Sequence, residues 1–152
     1  MNDAPLTDEL AKRRLKMWIR LLGVTRAAER SLRESLRVDH HTTLPRFDVM
    51  AALYRRRESI TMSELSRLLL VSNGNATTVV DRLEKDGLVQ RSASATDRRT
   101  VFVALTAAGL GQFEMLAAAH EREVSKIFGA LTEMELEVMT GILKRIARGE
   151  QA

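Results

Sequence analysis

Apolar residues recur at helical spacing along most of this chain, separated by short polar interruptions. Leu15, Trp18, Ile19, Leu22 and Leu36 predict a long first helix running to about Arg37. Pro5 and then Thr7 with Asp8 and Glu9 mark its start, a capping hydroxyl followed by acids that face the positive end of the helix dipole. The segment DHHTT breaks the pattern and LPRFDVMAALYRRR resumes it. Pro45 there suits a first helical turn, and Phe47, Met50, Ala51 and Tyr54 form one stripe. Thr61-Met62-Ser63-Glu64 reads as a capping box, hydroxyl and carboxylate each satisfying a free backbone N–H, and Leu65, Leu68 and Leu69 supply the buried side of the short helix behind it. Ser72 opens another helix to about Asp86, where Gly87 provides the left-handed residue that ends it.

The period then changes. LVQR and TVFVAL are the only strand-like runs, and Val101, Val103 and Leu105 alternate onto one side, which predicts a β-hairpin with the polar tip SATDRR. Thr106 begins a long helix through Leu110, Phe113, Leu116, Ala117, Val124 and Ile127. Thr132 and Glu135 make a second capping box, and in the last helix Leu136, Met139, Ile142, Leu143 and Ile146 are expected to face inward. With no internal repeat or linker, the prediction is a single domain over residues 1–152, mainly α with a small β-hairpin.

Composition narrows the chemistry. A chain of 152 residues is long enough for a hydrophobic core, and its net charge of +4 fits a polyanionic partner without identifying one. The absence of cysteine removes thiolate catalysis, disulfides, Cys-ligated zinc and thiol redox sensing together. No phosphate loop, nucleophile–base motif or HExxH is present, so an enzyme is not expected, nor a cofactor. No apolar run approaches the roughly 18 residues a bilayer requires, and the N-terminus MNDAPLTDEL is polar and acidic. A cytoplasmic protein with no membrane partner is the expectation.

The helix from Ser72 followed at once by the hairpin has the makings of a reading head for duplex DNA. On a helical wheel Ala76, Val79, Val80 and Leu83 cluster on one side, while Gly74, Thr77, Thr78, Asp81, Arg82 and Lys85 spread over the other. The opening turn Ser72, Asn73, Gly74 and Asn75 carries short hydrogen-bonding groups able to approach base edges. The helix is not basic: Arg82 and Lys85 stand against Asp81, Glu84 and Asp86. Attraction to phosphate must come largely from elsewhere, and Arg91, Arg98 and Arg99 of the hairpin, against the single acid Asp97, are the expected source. An arginine on a narrow β-tip suits the minor groove, and Asp97 is expected to orient the Arg99 guanidinium by a charge-assisted hydrogen bond. The same features also occur in winged helices that bind proteins, so an interaction module without sequence-specific DNA binding is the alternative.

The runs SNGNATTVVDRLEKDGLVQR and SATDRRTVFVALTAAG resemble the MarR family of bacterial transcription regulators, over almost the whole chain. Asp97-x-Arg99 ahead of Val103-x-Leu105-Thr106-x-x-Gly109, and Arg82 in VDRLEKDGLV, carry the likeness. The resemblance implies a winged helix-turn-helix over about residues 45–106, with helices at about 7–37 and 107–148 forming a dimerisation region. It implies a homodimer on a palindromic operator, usually as a repressor. Ser72, Asn73, Asn75, Thr77, Thr78 and Arg82 would face the major groove, with Asp97, Arg98 and Arg99 at the wing. Many relatives carry a basic residue where this chain has Thr78, so the operator sequence does not transfer from them.

Family members are commonly switched by a small effector, often an aromatic acid, and an aromatic acyl-CoA thioester would also suit the cation-rich first helix. Trp18, His41, Arg46, Met50 and Phe113 are the effector-site candidates; Trp18 is equally a core or interface aromatic, and Arg46 equally a surface cation. A metal-responsive regulator is a further alternative, with Asp39, His40, His41 and His120 as its donors, although adjacent histidines in a loop are usually incidental and no metal is expected.

Overall fold

The computed structural model describes residues 4–149, and the side chains of 9–149. Helix α1 spans Ala4–His40. It already runs before Thr7, and the expected capping role of Thr7 and Asp8 falls on side chains outside those described. His41, in the left-handed region at φ 51°, breaks the chain away from α1. Thr43 then caps α2 (Leu44–Arg56) by accepting a hydrogen bond from the Arg46 N–H at 3.4 Å, with Pro45 in the first turn.

Helix α2 is the centre of the molecule. The expected stripe is there, but Leu44, Val49, Ala52 and Leu53 are buried as well, because α1, the next two helices, the long helix after the hairpin and the sheet all pack around this helix. A strand that the sequence pattern did not reveal precedes the next helix: β1 (Ile60–Thr61) pairs antiparallel with the second hairpin strand, Ile60 opposite Val103 and Thr61 opposite Phe102. Two residues are too few to show a period. Helix α3 (Met62–Leu69) carries the expected capping box, with Thr61 N–H donating to Glu64 Oε2 at 2.8 Å and Glu64 N–H to Thr61 Oγ1 at 3.2 Å. Of its three leucines Leu65 is fully buried and Leu69 partly, whereas Leu68 is exposed. Ser66 takes a buried place instead, its hydroxyl satisfied by the Met62 carbonyl at 2.9 Å.

Helix α4 (Asn73–Lys85) is capped by Ser72 and followed by Gly87 at φ 74°. Strands β2 (Val89–Ala93) and β3 (Val101–Leu105) form the hairpin, in the register Val89 opposite Leu105 and Ala93 opposite Val101, and the sheet order is β1-β3-β2. Thr106 begins α5 (Ala107–Ile127): its Oγ1 accepts from Gly109 N–H at 3.0 Å and donates to the Gly87 carbonyl at 2.7 Å. The second capping box starts α6 (Glu133–Ala147), with Thr132 N–H donating to Glu135 Oε2 at 2.8 Å.

The last helix departs from expectation. Leu136, Met139, Ile142, Leu143 and Ile146 do not face inward, and α6 has no buried residue at all. The stripe is apolar yet stays exposed, as do Leu15, Trp18 and Ile19 on α1. No helix among the described residues is long and apolar enough to cross a membrane.

Candidate nucleic-acid interface

The core fixes which side of α4 faces out. Ala76, Val80 and Leu83 are buried under it, while Thr77, Thr78, Asp81, Arg82 and Lys85 are exposed along with Asn73, Gly74 and Asn75. Helical periodicity leaves no other choice once the apolar face has packed against α2 and α3. The Ser72 hydroxyl is occupied as the cap, accepting from the Asn75 N–H at 3.3 Å. Thr77 and Thr78 donate their hydroxyl protons back to the helix, to the Asn73 and Gly74 carbonyls at 2.8 and 3.0 Å. Each oxygen therefore meets solvent as an acceptor.

The wing tip is knitted by Ser94 and Asp97. Ser94 Oγ accepts from the N–H groups of Thr96 and Asp97 at 3.2 and 3.3 Å, and Ser94 N–H donates to the Thr100 carbonyl at 3.0 Å. Asp97 does not orient the Arg99 guanidinium, as its sequence position suggested. One carboxylate oxygen accepts from the Arg99 backbone N–H and the other from the Thr100 hydroxyl, both at 2.9 Å. These two hydrogen bonds, the backbone one first, hold the carboxyl below the usual aspartate range. The carboxylate shapes the turn, and the turn presents the arginines. Arg98 and Arg99 are exposed and form no ion pair among the described residues.

Arg91 is elsewhere. It lies in mid-β2 opposite Val103, and its guanidinium grips α4: Nη2 to Asp81 Oδ1 at 2.6 Å and Nη1 to Glu84 Oε2 at 2.7 Å. It therefore does not stand with the wing-tip cations, contrary to the sequence expectation. Wheel and strand patterns are local, and a pairing between β2 and α4 is visible only when both are in place.

The effector candidates are scattered. Met50 and Phe113 belong to the core, Phe113 packing on Phe47 with ring centroids 5.6 Å apart. His41 is exposed at the end of α1 and Trp18 is 52% exposed on its flank. Arg46 Nη2 pairs with Asp86 Oδ2 at 2.5 Å, at the C-terminal end of α4. None of the five lines the cleft of about 350 Å³ between α2, α3 and α5, which is bounded instead by Phe47, Asp48, Arg55, Arg56, Leu69 and His120. The His120 ring stacks on Phe47 at 4.3 Å and 18°. Among the described residues no three histidines or acids gather as a metal site would require, and Asp39, His40, His41 and His120 do not form one.

Comparison with known proteins matches this geometry. A family model described as MarR family matches residues 42–101, the segment from the α2 cap through the wing. The Bacillus subtilis regulator MhqR is 29% identical over 137 residues, 90% of this chain and 93% of its own. YkoM, an uncharacterised helix-turn-helix regulator of the same organism, is 32% identical over 118 residues, covering 78% of this chain and 75% of its own. Among solved structures, a cysteine-to-serine mutant of Escherichia coli MarR in complex with operator DNA superposes with a TM-score of 0.74 at 28% identity, covering 94% of this chain and 99% of that one. The polar outer face of α4, the turn that lifts Arg98 and Arg99, and these likenesses together make the chain a member of the MarR family of DNA-binding transcription regulators.

Proposed function

We propose that this protein is a cytoplasmic repressor that binds a palindromic operator as a homodimer and is released by a small effector. The observation that carries the reading is the combination of two cations without ion-pair partners among the described residues, Arg98 and Arg99, with the exposed polar face of α4 in one head. Ser72, Asn73, Asn75, Thr77, Thr78 and Arg82 meet the major groove, and Arg98 and Arg99 reach the flanking minor groove, whose negative potential attracts arginine. Asp97 acts through the shape of the tip. Residues 45–106 form the reading head, while α1, α5 and α6 form the dimerisation region. The uncovered stripes of α1 and α6 support the latter, since apolar surface on this scale seeks a partner.

Selection of bound duplexes from a random library, followed by footprinting on the DNA upstream of the gene, tests the reading. A two-fold symmetric site with half-sites about one helical turn apart is expected. A protein-interaction module would recover no consensus.

For the effector, the cleft bounded by Phe47, His120, Arg55 and Arg56 suits an aromatic acid, with its ring beside the stacked pair and its carboxylate toward an arginine. Aromatic acyl-CoA thioesters share the ring but not the carboxylate, and bring phosphates for the cations of α1 instead. Thermal-shift screening of both sets should yield at least one stabiliser; silence across both overturns this part.

A further inference from the structure

Every acid on the recognition helix is held by a cation from another element. By its own residues, Arg82 and Lys85 against Asp81, Glu84 and Asp86, the C-terminal half of α4 and its cap carry one net negative charge, a poor surface to bring against phosphate. Arg91 of β2 reaches Asp81 at 2.6 Å and Glu84 at 2.7 Å, its backbone N–H donates to Glu84 Oε1 at 3.2 Å, and Nη2 also meets the Thr77 carbonyl at 3.5 Å. Residues 77, 81 and 84 lie on one side of the helix, so a single side chain grips two turns of α4. Arg46 of α2 reaches Asp86 at the end of the same helix. With these two arginines counted, the balance becomes one net positive charge, and Arg82 and Lys85 are the cations left without an ion-pair partner among the described residues.

We infer that Arg91 is a positioning residue for DNA recognition rather than a phosphate contact: it masks Asp81 and Glu84 and locks α4 to the wing hairpin. The geometry is a fork shared between two carboxylates, with Arg91 itself only 23% exposed, and each carboxylate that loses it turns a negative charge toward the duplex. The lock fixes the rotation of α4 relative to the wing, and that rotation sets which side chains meet base edges while the tip arginines reach the adjacent groove. Arg46 secures the far end of the helix in the same way.

The inference rests on the DNA-facing role of α4. Binding of the unaltered protein to a duplex recovered by library selection tests that role first, and absence of binding fails that role rather than the assignment of Arg91. Against a binding wild type, Arg91→Gln should weaken affinity roughly tenfold or more, since two carboxylates are left facing the duplex. Adding Asp81→Asn and Glu84→Gln should then restore affinity to within about threefold, because the exposed charges are gone. A fall in slope of about 0.9 per protomer on Arg91→Gln, with no recovery in the triple variant, would make Arg91 a phosphate contact and overturn the inference. Wild-type affinity of Arg91→Gln would overturn it too. Should Arg91→Gln fail to fold by thermal melting, Arg91→Lys keeps the cation without the fork. It should retain affinity for scrambled duplex while losing discrimination for the selected one, and wild-type discrimination would count against the lock.

Discussion

Single residues account for much of how the head is built and aimed. Gly109 is the clearest case: a Cβ there would stand 1.9 Å from the Leu88 carbonyl oxygen and 3.2 Å from Leu105 Cδ2, because α5 starts hard against the entry to β2. Gly109→Ala should cost on the order of 1–3 kcal/mol in denaturant unfolding, as overpacking against backbone cannot be relieved by a rotamer. Gly111, one turn-fraction away, has open space around it, so Gly111→Ala should be neutral or stabilising by up to about 1 kcal/mol. The glycine was legible as part of a motif; its reason, a close backbone approach, was not. At the wing, Arg99→Ala should weaken duplex binding by about 1–3 kcal/mol and lower the salt slope by about 1 per protomer, measured by titration at several ionic strengths. Its aim depends on Asp97, whose hydrogen bonds run to backbone and Thr100 rather than to the guanidinium. Sequence adjacency suggested the ionic partner, and the tight turn favoured the amide.

At the scale of elements, caps and periods were read well because they depend on neighbours three or four residues away. The two capping boxes, the Ser72 cap and the two hairpin strands all follow from such local spacing. The short strand Ile60–Thr61 and the burial of α2 on several sides depend on what lies across the core, so no local pattern announced them. The junction of α2 and α5 carries a pH dependence that likewise needs both helices. Burial against Phe47 lowers the pKa of His120 below 6.5, opposed by Asp48, and His120 Nδ1 is buried without a partner. Because the folded value is depressed, the unfolded chain binds the proton first. Stability is then fully present above pH 6.5 and is lost as pH falls through the folded value of His120. Melting followed against pH should show this decline, and His120→Gln should flatten it. Asp48 works in the opposite sense in a window above pH 3.8: burial raises its pKa, against the attraction of His120, Arg33 and Arg55 and with the repulsion of Glu29, so it favours folding as it takes up a proton.

The whole molecule leaves apolar surface uncovered in the single chain. A helix with no buried residue, α6, and the apolar flank of α1 together expose Leu15, Trp18, Ile19, Met139, Ile142 and Leu143. If these faces close on a second copy, Ile142→Asp with Leu143→Asp should give monomers in sedimentation, with duplex affinity falling by roughly two orders of magnitude as the linked second half-site is lost. Trp18, the single tryptophan, should report the same change by a red shift of its emission. A dimer that survives both substitutions would place the interface elsewhere. The sequence by itself determined the order of helices, the caps of α3 to α6, the hairpin and the outward face of α4, since each depends on short-range periodicity and hydrogen bonding. Only the tertiary structure decided that Arg91 and Arg46 pair with the acids of the recognition helix and its cap, that Gly109 admits Leu88, and that the last apolar stripe lies uncovered. Those outcomes depend on which distant surfaces meet, and a one-dimensional pattern holds no record of that.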